Sequence, residues 1–311
     1  MMAIFRSKYR FIASVIGIYA ILWVYYITVI STLDRHAVEK HQMFKDATAN
    51  VVIPALFDSR NETFDCKTTH FMKMTFPICH YSSHTDGIIT NRILRGGYYE
   101  AAYVRRILRL LYGNQRLQLV DIGANIGVFS LPAARVAQVL AVEPYWRSMS
   151  RLAKAVDLAL VSSNITLVHN AVSDVRAIYS MVVDPHNQGR TFMRRCKTSC
   201  KTSSPIKTIL LNDLLPLMRS RAALLKVDVE GYEVNVFTDL SAGEFFKKIH
   251  IPFVLMEWSL CRKHPNVQRL LDFFYNRNYT IFNVNRNHAL DKQHYHQWPN
   301  NVLVKKTNIR F

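Results

Sequence analysis

The 311-residue chain predicts an α/β fold, an open and mainly parallel sheet flanked by helices. Three observations carry that prediction. Short apolar runs alternate with helical stretches, as a parallel sheet with crossover helices requires. The first run, Leu119-Val120-Asp121, ends in an acid and enters the glycine-spaced turn Ile122-Gly123-Ala124-Asn125-Ile126-Gly127. The second, Val139-Leu140-Ala141-Val142, ends in Glu143, twenty positions after Gly123, the interval that one intervening helix occupies.

Taken in order, strands are expected near 117–121, 138–143, 165–169, 223–229, 251–257, 279–284 and 301–305, seven in all, with the last two as a hairpin. Helices are expected at about 100–112, 128–136, 146–159, 208–219, 232–240 and 264–277. In such sheets the ligand lies outside the carboxyl ends of the strands. Four strands end in polar clusters there: Asp121, Glu143, then Asn170-Ala171-Val172-Ser173-Asp174, and Asp228-Val229-Glu230-Gly231-Tyr232-Glu233.

The turn after the first strand reads as a cofactor loop. Gly123 permits backbone angles closed to other residues, and Gly127 allows the following helix to come close. Two glycines four apart are neither the three of the dinucleotide fingerprint nor a phosphate loop with its Lys and Ser/Thr. A cofactor without phosphate, S-adenosylmethionine, fits better. By itself such a turn is also compatible with a plain strand-to-helix connection. Glu143 stands where an acid accepts hydrogen bonds from both ribose hydroxyls.

The segments VDIGANIGVFS, AVEP, NAVSD and LKVDVEGYE, in this order and spacing, resemble the FkbM family of S-adenosylmethionine-dependent methyltransferases. The similarity runs from about Gly96 to Lys306 and includes Gly97-Tyr98-Tyr99-Glu100. It implies a class I methyltransferase sheet, Rossmann-like and seven-stranded, and O-methyl transfer; family members methylate hydroxyls of sugars or polyketides. It further implies that the sixth strand runs parallel to the first five, which brings the loop Arg286–Asn300 to the ligand rim.

Site roles follow. Main-chain groups from Gly123 through Asn125 to Gly127, with Asp121, are expected to hold the methionine end. Glu143 is expected to hold the ribose, and Asn170 and Ala171 to face adenine. Asp174 either contacts the cofactor or organises its loop. Glu100 either reaches the methionine amino group or serves as a helix-start carboxylate. Alternation puts Lys226, Asp228 and Glu230 on one side of an extended strand. Asp228 is the expected general base or acceptor-orienting residue, Lys226 its holder, and Glu230 an acceptor or cofactor ligand. Glu233 either joins that cluster or begins a helix. Two acids so close also suit a divalent ion, but spacing offers no third ligand, so no metal is expected. Trp258, Tyr295 and Trp298 are candidates for stacking on a sugar.

The N-terminus supplies independent information. Residues 11–30 carry no charge and are long enough to span a ~30 Å bilayer core. Arg6, Lys8 and Arg10 precede them, and the charges that follow nearly cancel, so the tail 1–10 is expected in the cytoplasm. A cleaved signal peptide is the competing reading, with a shorter apolar core. Residues 31–85 suit a stem and lead-in, and 86–311 a methyltransferase domain. The expected protein is a single-pass type II membrane protein with a lumenal catalytic domain, in the Golgi. Three Asn-x-Thr sequons, at Asn61, Asn164 and Asn278, agree with a lumenal domain.

Five cysteines show no zinc spacing; in an oxidising lumen Cys66 with Cys79 and Cys196 with Cys200 are plausible pairs, leaving Cys261 free. The net charge of +18 includes Arg105, Arg106 and Arg109, and a second group from Arg190 to Lys201, and is compatible with an acidic glycan or lipid headgroup or with a plain basic surface. No nucleic-acid partner is expected from this topology. The leading reading is a membrane-anchored O-methyltransferase acting on a glycan. The alternatives are a methyltransferase for a small-molecule or lipid-linked hydroxyl, and a non-catalytic binding protein that keeps the fold.

Overall fold

The computed structural model describes residues 51, 63–196 and 204–307. The apolar run 11–30 and most of the expected stem lie outside these residues. Among the described residues no helix is long and apolar enough to cross a membrane.

The described chain begins with an antiparallel hairpin, β1 (Cys66–Phe71) and β2 (Met74–Cys79), closed by a disulfide between Cys66 and Cys79. This hairpin precedes residue 86, yet Phe76 and Ile78 are buried in the domain core, because every second side chain of β2 faces the helix Trp146–Ala159 layer. Next come β3 (Leu117–Ile122), β4 (Val139–Val142) and β5 (Ile165–Val168), at the expected positions. Four short strands follow: β6 (Ala171–Val172), β7 (Ile178–Val182), β8 (Phe192–Arg195) and β9 (Pro205–Ile209). The chain then returns to the main sheet through β10 (Ala222–Val227), β11 (His250–Glu257), β12 (Tyr279–Asn283) and β13 (Asn301–Lys306).

The main sheet has seven strands in the order β12-β13-β11-β10-β3-β4-β5. The five from β11 to β5 are parallel, and β13 runs antiparallel to both β11 and β12. β12 is therefore parallel to β11, and the loop before β13 returns to the rim at the carboxyl ends of the parallel strands. This is the class I methyltransferase arrangement. The strands are apolar on both faces, as helices on both sides require. Leu117 and Leu119 of β3 pack into one layer while Val120 and Ile122 pack into the other.

Helices occupy Ala101–Gly113, Trp146–Ala159 and Val267–Tyr275 as expected. The stretch expected as one helix at 232–240 splits into Glu233–Phe237 and Leu240–Lys248, because Asp239 adopts extended angles and its carboxylate accepts from the Ala242 N–H to cap the second helix. The helix expected at 208–219 is a 3₁₀ segment, Leu211–Leu217, with Pro216 inside it. The one expected at 128–136 shortens to Ser130–Ala133 around Pro132.

The second sheet, ordered β6-β9-β7-β8, has no counterpart in the sequence reading. Cys196, just after β8, is disulfide-bonded, and Cys261 is free and buried.

Candidate active site

A cleft opens at the carboxyl ends of β3, β4 and β10. Its floor is the turn after β3. The N–H groups of Gly123 and Ala124 donate to the Val142 carbonyl at 2.9 and 3.0 Å, tying the turn to β4. Gly123 has φ 85°, and a Cβ there would lie 1.8 Å from the Asp228 carbonyl oxygen. Only glycine permits this approach of the turn to the end of β10. Gly127, at φ 93°, has no place in the cleft lining; a Cβ would meet Leu152 Cδ1 at 2.5 Å, so its absence lets the helices pack.

Glu143 is 6% exposed and lines the cleft. Its Oε2 accepts from the Asn125 N–H at 2.8 Å and its Oε1 from the Tyr145 N–H at 2.7 Å. Burial pushes this carboxyl up to about 7 against the pull of those two N–H donors. Each oxygen keeps one lone-pair direction, enough for two vicinal hydroxyls of a ribose. Asn170 and Ala171 line the adjoining end, with the Asn170 amide oriented by a bond to the Lys207 carbonyl at 3.2 Å. Met181, Gln188, Phe192 and Met193 from the second sheet and its loop close the same cleft. None of these was singled out from the sequence, where they carry no motif.

Asp121 does not line the cleft. It is fully buried behind the turn, where Oδ2 accepts from the Ser130 hydroxyl at 2.6 Å. Its Oδ1 has no well-aligned donor but faces Lys226 Nζ at 3.3 Å, an ion contact. The cause is register: Asp121 and Lys226 are direct neighbours on β3 and β10. Asp121 therefore positions the loop through Lys226, whose ammonium also donates to the Gly123 carbonyl at 2.7 Å and lies 3.5 Å from Asp228 Oδ2. Burial lowers the Lys226 pKa, but Asp121, Asp228 and Glu100 outweigh it and the ammonium is held above its ordinary value. Asp174 also stays off the cleft; exposed, it accepts from Ser173 Oγ and Asn235 Nδ2 and organises the loop after β6.

Glu100, Asp228 and Glu230 do line the cleft. Glu100 is the N-cap residue of its helix, at φ 48°, and its carboxylate makes no capping hydrogen bond. Burial, then Asp228, push it up to about 7. Glu230 is likewise left-handed, φ 52°, and burial and then Asp228 push it up to about 7 while Arg190 opposes. Asn125, at φ 49°, is the third left-handed residue facing this space. Backbone strain of this kind costs ~1–3 kcal/mol per residue and gathers at functional sites. Glu233, by contrast, is fully buried and accepts from the N–H groups of Val229 and Gly231, so it shapes the turn after β10.

The aromatic trio sits elsewhere. Trp258 is 0% and Trp298 4% exposed, with ring centroids 4.9 Å apart. Trp258 Nε1 donates to the Tyr295 carbonyl at 2.8 Å, and Trp298 Nε1 to the Asp291 carbonyl at 2.9 Å. Tyr295 meets Trp258 edge-on at 6.4 Å. The rings pin the β12–β13 loop to the end of β11; the two buried tryptophans offer no face to a sugar, and Tyr295 is half-buried.

A second cavity adjoins the first and shares Ile89, Tyr99, Gly189 and Glu230 with it. Its other lining includes Asn187, Arg190, Glu257 and Ser259. Glu257 ends β11, beside Asp228 at the end of β10; its carboxylate and those of Asp228 and Glu233 lie within 4.8 Å of one another. An acid at the carboxyl end of a strand was the signal that identified Glu143 and Asp228, and it applies equally to Glu257.

The fold and the cleft define an S-adenosylmethionine-dependent methyltransferase. A sequence model described as "Methyltransferase FkbM domain" matches residues 121–281, just over half of the chain, and the protein belongs to that family. S-adenosylmethionine is its cofactor, and the strapped turn, the two-sided Glu143 and the acids around the cleft suit that cationic nucleoside. Among similar solved structures, the O-methyltransferase TomG of Streptomyces achromogenes, in complex with S-adenosylmethionine, is 12% identical over 74% of this chain and 92% of its own, with a TM-score of 0.39. TYW2 of M. jannaschii, with the same cofactor, is 11% identical over 78% and 86%, TM-score 0.34. An rRNA methylase of Streptococcus thermophilus is 11% identical over 61% and 86%, TM-score 0.33. No curated protein matches the sequence.

Proposed function

We propose that this protein methylates a hydroxyl group of a glycan inside the secretory pathway. The observation that carries the reading is the second cavity, where Asn187, Arg190, Glu230, Glu257 and Ser259 meet beside the cofactor cleft. Carboxylates, an amide and a hydroxyl in one recess match an acceptor with several hydroxyls, whereas Tyr99 is the sole ring in that lining. Arg190 favours an acceptor that also carries a negative charge. Ile88, Ile89 and Leu260 on the same wall support a lipid-linked hydroxyl as the second reading.

When bound, S-adenosylmethionine supplies a methyl group on a cationic sulfur; the acceptor oxygen bonds to that carbon as the carbon–sulfur bond breaks, leaving its electron pair on sulfur and releasing the hydroxyl proton. The chain's contribution is alignment and proton handling. Glu143 orients the nucleoside, Lys226 fixes the turn, and Glu230 stands where the two cavities meet, with Asp228 in the cofactor cleft beside it.

Location belongs to the same proposal: a cytoplasmic tail 1–10, a signal-anchor 11–30, a stem, and a lumenal catalytic domain in the Golgi. The Cys66–Cys79 disulfide and the bonded Cys196 suit an oxidising compartment. Asn278 lies exposed in the turn before β12, where a sequon is open to glycosylation, whereas the Asn164 amide donates to the Ala134 carbonyl.

The test is to incubate the full-length chain with tritiated-methyl S-adenosylmethionine and oligosaccharides released from glycoproteins. Base-stable label on a monosaccharide is the expected result. Label confined to lipid, or to base-labile ester, would contradict the glycan hydroxyl.

A further inference from the structure

The geometry points to Glu257 as the group that takes the acceptor's proton, an assignment that rests on the methyl-transfer reading above. Glu257 bounds the acceptor cavity from the end of β11, with Asp228 and Glu230 on the side of the cofactor cleft. A hydroxyl placed between the two cavities therefore has this carboxylate on its acceptor side.

What separates Glu257 from Asp228, Glu143 and Glu233 is how little satisfies it. Asp228 has the Lys226 ammonium at 3.5 Å. Glu143 has two backbone N–H donors, and Glu233 accepts from Val229 and Gly231. Glu257 has the Ser259 hydroxyl on Oε1, while Oε2 is shielded from solvent and has no hydrogen-bond partner. A sheltered oxygen without a donor gains most from receiving a proton.

The acids facing it act in the same direction. From β10 and its turn come Asp228, Glu230 and Glu233; from the segment after β11 comes the buried Cys261 thiol, which donates to the Glu257 carbonyl at 3.2 Å. Tyr99 and Arg190 complete the cavity wall. Burial first, and then Asp228, push the carboxyl up to about 8, with Ser259 opposing and Glu233 and Glu230 adding. A base with a pKa near the working pH combines proton affinity with a usable ionised fraction.

The step balances. The acceptor O–H bond breaks, its proton goes to the Glu257 carboxylate, and its electron pair forms the bond to the methyl carbon while the carbon–sulfur bond breaks and leaves its pair on a neutral sulfur. Glu257 gives up the proton before the next turnover. A divalent ion among Asp228, Glu233 and Glu257 is the opposing account, but Glu233 is turned toward its own backbone N–H donors.

The experiment compares wild type, Glu257→Gln and Glu257→Asp as full-length proteins. S-adenosylmethionine affinity is measured by calorimetry, methyl transfer to released oligosaccharides as a function of pH, and carboxyl protonation by infrared difference spectroscopy. The proposal expects unchanged cofactor affinity in both variants and a loss of ~10²–10⁴-fold in kcat for Glu257→Gln with partial recovery in Glu257→Asp. It also expects a carboxyl band titrating near 8 in wild type that is missing from Glu257→Gln. Retained kcat in Glu257→Gln, abolition of transfer by a chelator with restoration by a divalent ion, or titration of Glu257 in the ordinary carboxylate range would each overturn it. Because the infrared titration needs no acceptor, it decides even if no oligosaccharide is methylated. Failure of wild type to bind S-adenosylmethionine would instead strike the methyl-transfer reading itself.

Discussion

Replacing Lys226 by Met leaves a shape close to the original and removes one charge from the most buried ionic group of the site. In the wild type that ammonium meets the Gly123 carbonyl at 2.7 Å, Asp121 at 3.3 Å, Asp228 at 3.5 Å and the Phe129 ring at 5.2 Å. Asp228 reaches water, but Asp121 is 0% exposed and keeps only the Ser130 hydroxyl. Stranding such a buried charge costs ~3–5 kcal/mol. Against a domain stability of ~5–15 kcal/mol that is a large fraction, and it corresponds to a midpoint shift of roughly 1–2 M in urea. The penalty belongs to the uncompensated Asp121 charge, so adding Asp121→Asn should recover more than half of it. Urea unfolding of the two single variants and the double variant measures the coupling directly. A Lys226→Met protein within about 1 kcal/mol of wild type, or a double variant no more stable than Lys226→Met, would refute the argument.

The remaining expectations concern the aromatic lock and pH. Trp298→Ala should lower stability by ~3–5 kcal/mol in chemical denaturation while leaving S-adenosylmethionine affinity unchanged, because the ring is core rather than ligand platform; a loss of binding with full stability would reverse that assignment. Glu100, Glu143, Glu230 and Glu233 are pushed up to about 7 and Glu257 to about 8, from an ordinary 4.5. The folded state therefore holds more protons than the unfolded chain above 4.5, and stability drains as these groups ionise. His169 and His264, lowered by burial, act in the opposite sense below about 6.5, so the decline is cleanest between about 6.5 and about 8. Thermal unfolding that is flat or rises across that window would contradict the burial of these acids.

Much of the fold is visible in the sequence because parallel strands with two buried faces appear as short apolar runs, each closed by a polar residue. Glu143, Asn170, Ala171 and Asp228 were legible for the same reason. The contacts made across strands were not. That Asp121 faces Lys226 rather than the cofactor depends on the β3–β10 register, which no local pattern encodes. Trp258 and Trp298 look like ligand platforms in a loop, yet each indole N–H finds a backbone carbonyl, which makes burial affordable. The second sheet escaped because β6 to β9 are only two to five residues long and lie among basic and polar residues. Glu257 ends a strand as Glu143 and Asp228 follow theirs, but the adjacent Trp258 is the more conspicuous residue in the sequence.

The central claim is that the cleft holds S-adenosylmethionine with Glu143 on its ribose. Calorimetry of S-adenosylmethionine against the full-length chain, wild type beside Glu143→Ala, tests it most directly. Loss of a charge-assisted pair of hydrogen bonds, ~1.5–3 kcal/mol, predicts binding weakened roughly 10- to 150-fold in the variant. A folded wild type that does not bind, or a variant that binds equally well, would contradict it.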